Sequence, residues 1–248
     1  MTAEPQREQS GRDELRSLLV GGLAGLKLSL NDRQVDLLLA FADLLLRWGR
    51  TYNLTAIRAA RDVVTHHLLD CLAVVLPLQR ELVHTAGRRV LDVGSGAGLP
   101  GIVIAIADPG IDVVCIDSIG KKAAFVSQAA ASLGLKNINV LHGRVESVQL
   151  LPFDVIMSRA FSSLPAFIGL TEHLLGPEGI WLAMKGKVPT QEIAEVGPSK
   201  VIHVEPLVVP DLHADRCIVR IRRASSGSTR ERLLPLDKAP DMENKKSA

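Results

Sequence analysis

Aromatic residues are scarce in this chain: one Tyr, two Trp and five Phe among 248 residues. A place where they gather with basic residues therefore stands out, and Arg47, Trp48, Arg50, Tyr52 and Asn53 interleave the two kinds, as base stacking and backbone contact to RNA would suit. Trp48 also continues an apolar helical stripe, so core packing is the simpler reading of that ring. Cysteine is rarer than chance pairing needs. Cys71, Cys115 and Cys217 are far apart, show no C-x-x-C spacing and sit in apolar segments, so reduced thiols in a cytoplasmic protein are expected. Long apolar runs are missing too. The stretch from Leu18 to Leu30 is broken by glycines and Lys27, which excludes a bilayer span or a signal sequence. Net charge is small, +2, but uneven: Arg220 to Ala248 carries eight basic residues and four acids, a weak pointer to an anionic partner. No ligand set for a metal is evident; His66, His67 and Asp70 lack further partners at suitable spacing.

What is present is apolar and patterned. With 47% hydrophobic residues, the chain can bury a substantial core. From about Asp13 to Leu82 the spacing is helical: Leu30, Val35, Leu37, Leu38, Leu39, Phe41, Leu44, Leu45 and Trp48 make a wide stripe. Ser29, Asn31 or Asp32 are its candidate caps and Gly49 its stop. A second helix is predicted from Arg61 to Leu76, ended by Pro77. Beyond Arg88, short β-branched runs alternate with helical stretches, the pattern of a parallel sheet with crossover helices. Strands are predicted at Val90 to Val93, Asp112 to Ile116, Ile138 to Leu141, Asp154 to Met157, Ile180 to Met184, Val201 to Val208 and Arg216 to Ile221. The last two are joined around Pro210 and Asp211 by too short a connection for a crossover, so they are antiparallel. The expected fold class is α/β: a Rossmann-like seven-stranded sheet, mostly parallel, with an antiparallel final strand. Expected boundaries are a disordered N-terminus over 1–12, a helical subdomain over 13–84, the sheet domain over 85–223 and a disordered basic tail over 224–248.

The richest local signal is Val90-Leu91-Asp92-Val93-Gly94-Ser95-Gly96-Ala97-Gly98-Leu99-Pro100-Gly101, a strand turning into a nucleotide-binding loop and then a helix. Gly96-x-Gly98-x-x-Gly101 matches a dinucleotide phosphate loop, and Asp117 follows Gly96 by 21 residues, where a ribose-binding acid belongs. S-adenosylmethionine fits more features. Its sulfonium and ammonium favour nearby acids, whereas a pyrophosphate at the helix N-terminus does not. Asp92 and Asp117, each at a strand end, therefore favour the methyl donor. A ligand-free tight turn is the bland alternative.

Several further elements carry a family resemblance: Asn53-Leu54-Thr55, His67-Leu68-Leu69-Asp70, Asp117-Ser118 with Gly120-Lys121, Arg144-Val145-Glu146, Ser158-Arg159-Ala160-Phe161 and Lys185-Gly186. Together with the glycine loop, in order from about Leu30 to Arg222, they resemble the RsmG (GidB) family of bacterial small-subunit ribosomal RNA guanine-N7 methyltransferases. The Asn-Leu-Thr and Ser-Arg-Ala-Phe elements are its more specific parts. The resemblance implies the S-adenosylmethionine-dependent methyltransferase fold, with 16S ribosomal RNA or the small subunit as partner and guanine 527, in conventional ribosomal numbering, as target. It places Gly94 and Leu99 against the donor; the residue pattern itself adds Asp92, Gly96 and Gly98 of the same loop and Asp117 at the end of the second strand as candidate donor-binding residues. Val145 and Glu146 fall at the adenine side and Arg159 at the mouth between donor and substrate. Taken alone, Glu146 reads equally as a solvated acid at a helix start.

Arg159 follows the fourth strand, at the carboxyl edge where ligands bind in such sheets. At that place amino-group methyltransferases resemble one another in an Asn/Asp-Pro-Pro-aromatic element, and cytosine-C5 enzymes in a nucleophilic cysteine; neither is present. Guanine N7 needs neither, because it offers an in-plane lone pair and has no proton to lose. Arg159 is thus expected to position substrate or donor, with no general base, and to leave N7 free by contacting O6, a phosphate or the donor. Lys185, Lys187, Arg50 and His67 are the candidate RNA contacts, and the protein is expected to act as a monomer. Two other function classes stay open: a dinucleotide-dependent oxidoreductase, from the glycine pattern, and a ribosome-binding protein without turnover, from the basic tail. A small-molecule methyltransferase is also compatible, although a packed helical unit ahead of the sheet favours a large substrate.

Overall fold

In the computed structural model, which describes residues 3–52, 55–83, 85, 87–197 and 200–223, the chain opens with two long helices, α1 (Ala3–Gly25) and α2 (Asp32–Tyr52). Residues 3–12 are helical where a disordered start was expected. Ahead of Leu15 only a single glycine, Gly11, weakens the helix, and Pro5 lies in the first turn, where proline is tolerated. The α2 cap is Asn31. Its Oδ1 accepts the Gln34 N–H at 2.9 Å while Gln34 Oε1 accepts the Asn31 N–H at 3.0 Å, a reciprocal box that satisfies two orphan donors. Gly49 does not stop the helix, which runs three residues further.

The second predicted helix is instead a series: α3 (Ala60–Val63), a π-turn (Val64–Leu69), α4 (Asp70–Leu72) and α5 (Val75–Leu82). Pro77 falls in the first turn of α5 rather than ending a helix, again a position where the missing N–H costs little. The rest alternates strand and helix: β1 (Arg89–Val93), α6 (Gly101–Ala107), β2 (Asp112–Asp117), α7 (Gly120–Leu133), β3 (Ile138–His142), β4 (Phe153–Arg159), α8 (Leu164–Thr171), β5 (Leu175–Lys185), α9 (Thr190–Val196), β6 (Lys200–Pro206) and β7 (Cys217–Arg223).

The strand order is β3-β2-β1-β4-β5-β7-β6, parallel from β3 to β5, with β7 antiparallel to both of its neighbours. The short β6–β7 connection is a hairpin, as expected, but the last strand inserts between β5 and β6 rather than ending the edge. Period-two alternation divides the core in two. Val90, Val113, Val155, Met157 and Leu182 face one side and share a continuous apolar cluster with Leu38, Leu72 and Ile102. Leu91, Val114, Ile156, Trp181 and Val219 face the other, against α8. The N-terminal helices therefore cover one face of the sheet. Gln34 ties them further, its Nε2 donating to the carbonyls of Ile106 and Ala107 at the end of α6, both at 2.9 Å. Asn53, Leu54 and the predicted tail, 224–248, lie outside the described residues.

Candidate active site

The glycine loop sits at the carboxyl ends of β1 and β2. Gly94, Gly96 and Gly98 all take positive φ, +66°, +58° and +77°, a region that β-carbons disfavour. The backbone N–H groups of Gly94 and Ser95 both donate to the Ile116 carbonyl, at 2.9 and 3.2 Å, locking the loop to the next strand. Asp117 completes the lock: Oδ2 accepts the Gly96 N–H and Oδ1 the Ile119 N–H, each at 2.8 Å. The carboxylate thus braces the loop while each oxygen keeps a second lone pair for a ligand hydroxyl.

Asp92 stands elsewhere than its sequence position suggested. Its side chain points to the α6 face, fully buried, with Oδ2 accepting the Gly101 N–H at 2.8 Å and lying 4.0 Å from the Cys115 thiol. Oδ1 has no hydrogen-bond partner among the described residues. Burial raises its pKa to about 7, against the lowering pull of the Gly101 N–H. It supports the helix start from beneath. A sulfonium-facing carboxylate is not what this geometry provides, because strand alternation turns residue 92 away from the cavity side. Leu99 is likewise buried in the first core, and Gly98 lies against Ile102 and Val126.

Above the loop is a cavity of about 160 Å³ whose walls include Gly94, Asp117, Ser118, Val145, Glu146 and Phe161. Four of the expected donor-binding residues, Gly94, Asp117, Val145 and Glu146, meet here. Val145 and Glu146 arrive on a 3-10 turn after β3. Phe161, Ser118 and Leu170 were not singled out as binding residues; Phe161 carried a signal only through its motif, and Leu170 reaches the cavity from α8.

Arg159 lines a different cavity, of about 440 Å³, beside the first. Between them Ala160 takes φ +54°, so that Arg159 and Phe161 serve neighbouring hollows. Arg159 Nη1 donates to Asp70 Oδ2 at 3.2 Å and to the His66 carbonyl at 3.4 Å. Arg216 Nε donates to Asp70 Oδ1 at 2.7 Å. His67 and Asp70, three residues apart, would share one side of a regular helix, but the π-turn displaces the helical register and gives Asp70 to two arginines. His67 turns to Thr55, with Nε2 2.7 Å from Thr55 Oγ1 and Nδ1 3.1 Å from the His66 carbonyl. A ring nitrogen facing a carbonyl must carry the proton, so when the ring is neutral Nε2 accepts from the Thr55 hydroxyl. Burial and the Arg159 charge lower its pKa to about 4. Its ring is mostly buried, a support for this wall more than an exposed RNA contact.

Lys185 borders the second cavity but is engaged, donating to Glu192 Oε2 at 2.8 Å and to the Ser162 carbonyl at 3.3 Å. Lys187 is exposed on the next loop. Arg50 lies near the end of α2, its side chain outside the described residues. Trp48 packs against Phe125 of α7 at 5.7 Å between ring centres, the core role its place in the stripe suggested. Burial pushes the Cys71 thiol up to about 12 and raises those of Cys115 and Cys217, leaving no thiolate at neutral pH. Among the described residues no group of three or more His, Cys, Asp or Glu could hold a metal ion, and no helix is long and apolar enough to cross a membrane.

Comparison with known proteins agrees with this geometry. The family model GidB, rRNA small subunit methyltransferase G, matches residues 34–219. The ribosomal RNA small subunit methyltransferase G of Albidiferax ferrireducens is 52% identical over 222 residues, covering 86% of this chain and 99% of the relative. That of a Polaromonas species is 50% identical over 224 residues, covering 89% and 97%. Among solved structures, an O-methyltransferase from Bacillus cereus in complex with SAH superposes with TM-score 0.51 at 16% identity, over 73% of this chain and 90% of that one. TrmN from Thermus thermophilus gives 0.50 at 16% identity, over 65% and 53%. These two show the fold.

Proposed function

The chain belongs to the GidB family, rRNA small subunit methyltransferase G, and we propose that it transfers a methyl group from S-adenosylmethionine to N7 of a guanine in 16S ribosomal RNA, guanine 527 being the position the resemblance implies. The observation that carries this reading is the pair of adjacent cavities at one sheet edge. One is lined by the left-handed Gly94 and walled by two carboxylates, Asp117 and Glu146; the other is lined by Arg159 and Arg216, with its carboxylate, Asp70, bound to both.

The first cavity fits the donor. Gly94 leaves the backbone bare where a β-carbon would fill the space before Phe161, and Asp117 and Glu146 supply acceptors for its hydroxyl and amino groups. When bound, the donor supplies a methyl group whose bond to sulfur breaks as the bond to N7 forms, the electron pair returning to sulfur. The protein need not move a proton. In keeping with that, the titratable groups around the second cavity are committed: Asp70 lies between two guanidiniums, His67 is buried and neutral, and Lys185 is bound to Glu192. Positioning is the protein's part in catalysis, and alignment of reactants alone can account for large rate effects. Arg159, held by Asp70 and the His66 carbonyl, is in this reading the contact to the target nucleotide, made at O6 or a phosphate so that N7 is left uncovered. The three free, buried cysteines suit a reducing cytoplasm, where the protein would act as a monomer on the small subunit or its RNA.

Incubation with tritiated S-adenosylmethionine and small subunits from cells lacking this gene, followed by mass-spectrometric mapping, tests the proposal. The expected result is N7-methylguanine at a single 16S position. No incorporation, or a methyl group on another atom, would overturn it.

A further inference from the structure

Resting on that reading, we infer that the second cavity seats the target nucleotide and that Asp70 is the positioning residue that aims two arginines at its oxygen acceptors. Asp70 is 3% exposed. It reaches the cavity floor because the π-turn of Val64–Leu69 precedes it, and such turns gather at functional sites. Its two carboxylate oxygens are divided, one to Arg159 and one to Arg216, and both arginines border the cavity with side chains about a quarter exposed or less (21% and 25%). Arg159 reaches Asp70 and the His66 carbonyl through Nη1, and Arg216 reaches Asp70 through Nε and the Asp215 carbonyl through Nη1, so of its five N–H donors each guanidinium retains some after Asp70 has fixed its plane. Nothing local in the sequence joins residues 70, 159 and 216; they meet only where this cavity opens.

The charge arithmetic fits the chemistry. Two guanidiniums and one carboxylate leave a single positive charge, suited to one phosphodiester or to a guanine O6. N7-methylguanine is itself a cation. Without Asp70 the product would face two unscreened positive charges in a partly desolvated hollow, where repulsion is strong. A purely structural buried ion cluster is weakly motivated by comparison, since apolar replacements of such clusters are often as stable.

The test compares the full-length wild type with Asp70→Asn, Arg216→Gln and the double variant on small subunits lacking the modification. Each single substitution should lower kcat/KM for subunits at least tenfold, while the calorimetric Kd for S-adenosylmethionine stays within twofold. The double variant should be no worse than the poorer single one, because the residues act as a unit. If Arg216 holds a phosphate, Arg216→Gln also reduces the salt slope of subunit binding by about 0.7; if it holds O6, the slope is unchanged. Should Asp70→Asn fail to fold by circular dichroism, Arg216→Gln, whose side chain is less buried than that of Asp70 (25% against 5% exposed), carries the same comparison. Unchanged kcat/KM in Arg216→Gln overturns the inference, and so does loss of donor binding in step with loss of subunit use, the mark of a structural ion pair. Wild-type protein that leaves subunits unmethylated overturns the functional reading itself, a result distinct from wild type and variants methylating equally.

Discussion

Gly94 and Phe161 approach so closely that a β-carbon on Gly94 would stand 2.7 Å from Phe161 Cδ2. The loop after β1 and the segment after β4 therefore close over the cavity we propose for the donor, with no room for a methyl group between them. Gly94→Ala should act twice. The left-handed φ costs an L-residue about 1–2 kcal/mol, and the clash displaces the aromatic wall. We expect a lower melting temperature and at least a tenfold weaker calorimetric Kd for S-adenosylmethionine; affinity within twofold of wild type would remove Gly94 from the donor site.

Asp92 makes stability depend on pH in an unusual direction. Its folded pKa, raised to about 7 by burial, exceeds its ordinary carboxyl value. The folded state therefore holds a proton that the unfolded chain has already lost, and stability falls as pH rises from about 4 through 7. Asp92→Asn keeps an oxygen for the Gly101 N–H but has no proton to lose. Between pH 5 and 8 the variant should gain about 2 kcal/mol relative to wild type, measured by urea unfolding at each pH. Parallel pH curves for the two proteins would contradict the buried carboxyl.

His67 acts with the opposite sign. Its folded pKa, lowered to about 4 by burial and by Arg159, lies below the unfolded value. The unfolded chain takes up a proton first as pH falls, and stability is lost from about pH 6.5 down towards 4. His67→Gln should flatten that acid limb while retaining methyl transfer above pH 6.5, since the ring is not asked to move a proton. Turnover lost in a folded His67→Gln protein would show that the ring has a chemical role.

Much of this fold was legible because local chemistry and tertiary packing agree. The β-branched runs became strands, Asn31 became the cap its side chain suits, and the glycines with positive φ lie in the loop their spacing marked. Legibility failed where packing overrides local preference. Pro77 is harmless inside a first turn, the π-turn shifts register without any sequence signal, and β7 inserts beside β5 by a tertiary choice. The site divides in the same way. Gly94, Asp117, Val145 and Glu146 meet because each ends or follows a strand at the same sheet edge. Asp92, one residue from that edge, faces the other layer because strand side chains alternate. Arg216 escaped notice because only folding brings it to Asp70, 146 residues away.

Lys185 and Lys187 differ in a way that binding can resolve. Lys185 is held by Glu192, which also accepts the Leu164 N–H at 2.7 Å, so the lysine helps fix the start of α8. Lys187 is exposed and available to a phosphate. Lys187→Ala should leave the melting temperature unchanged and reduce the slope of log K against log salt for RNA binding by about 0.7, the share of one phosphate contact on a single strand. Lys185→Ala should instead lower the melting temperature, because Glu192 loses its counter-charge while still bound to the α8 backbone, and should leave the salt slope almost intact. Fluorescence titration of a 16S fragment at several salt concentrations separates the two. If both variants change the slope equally, Lys185 leaves Glu192 to meet the RNA.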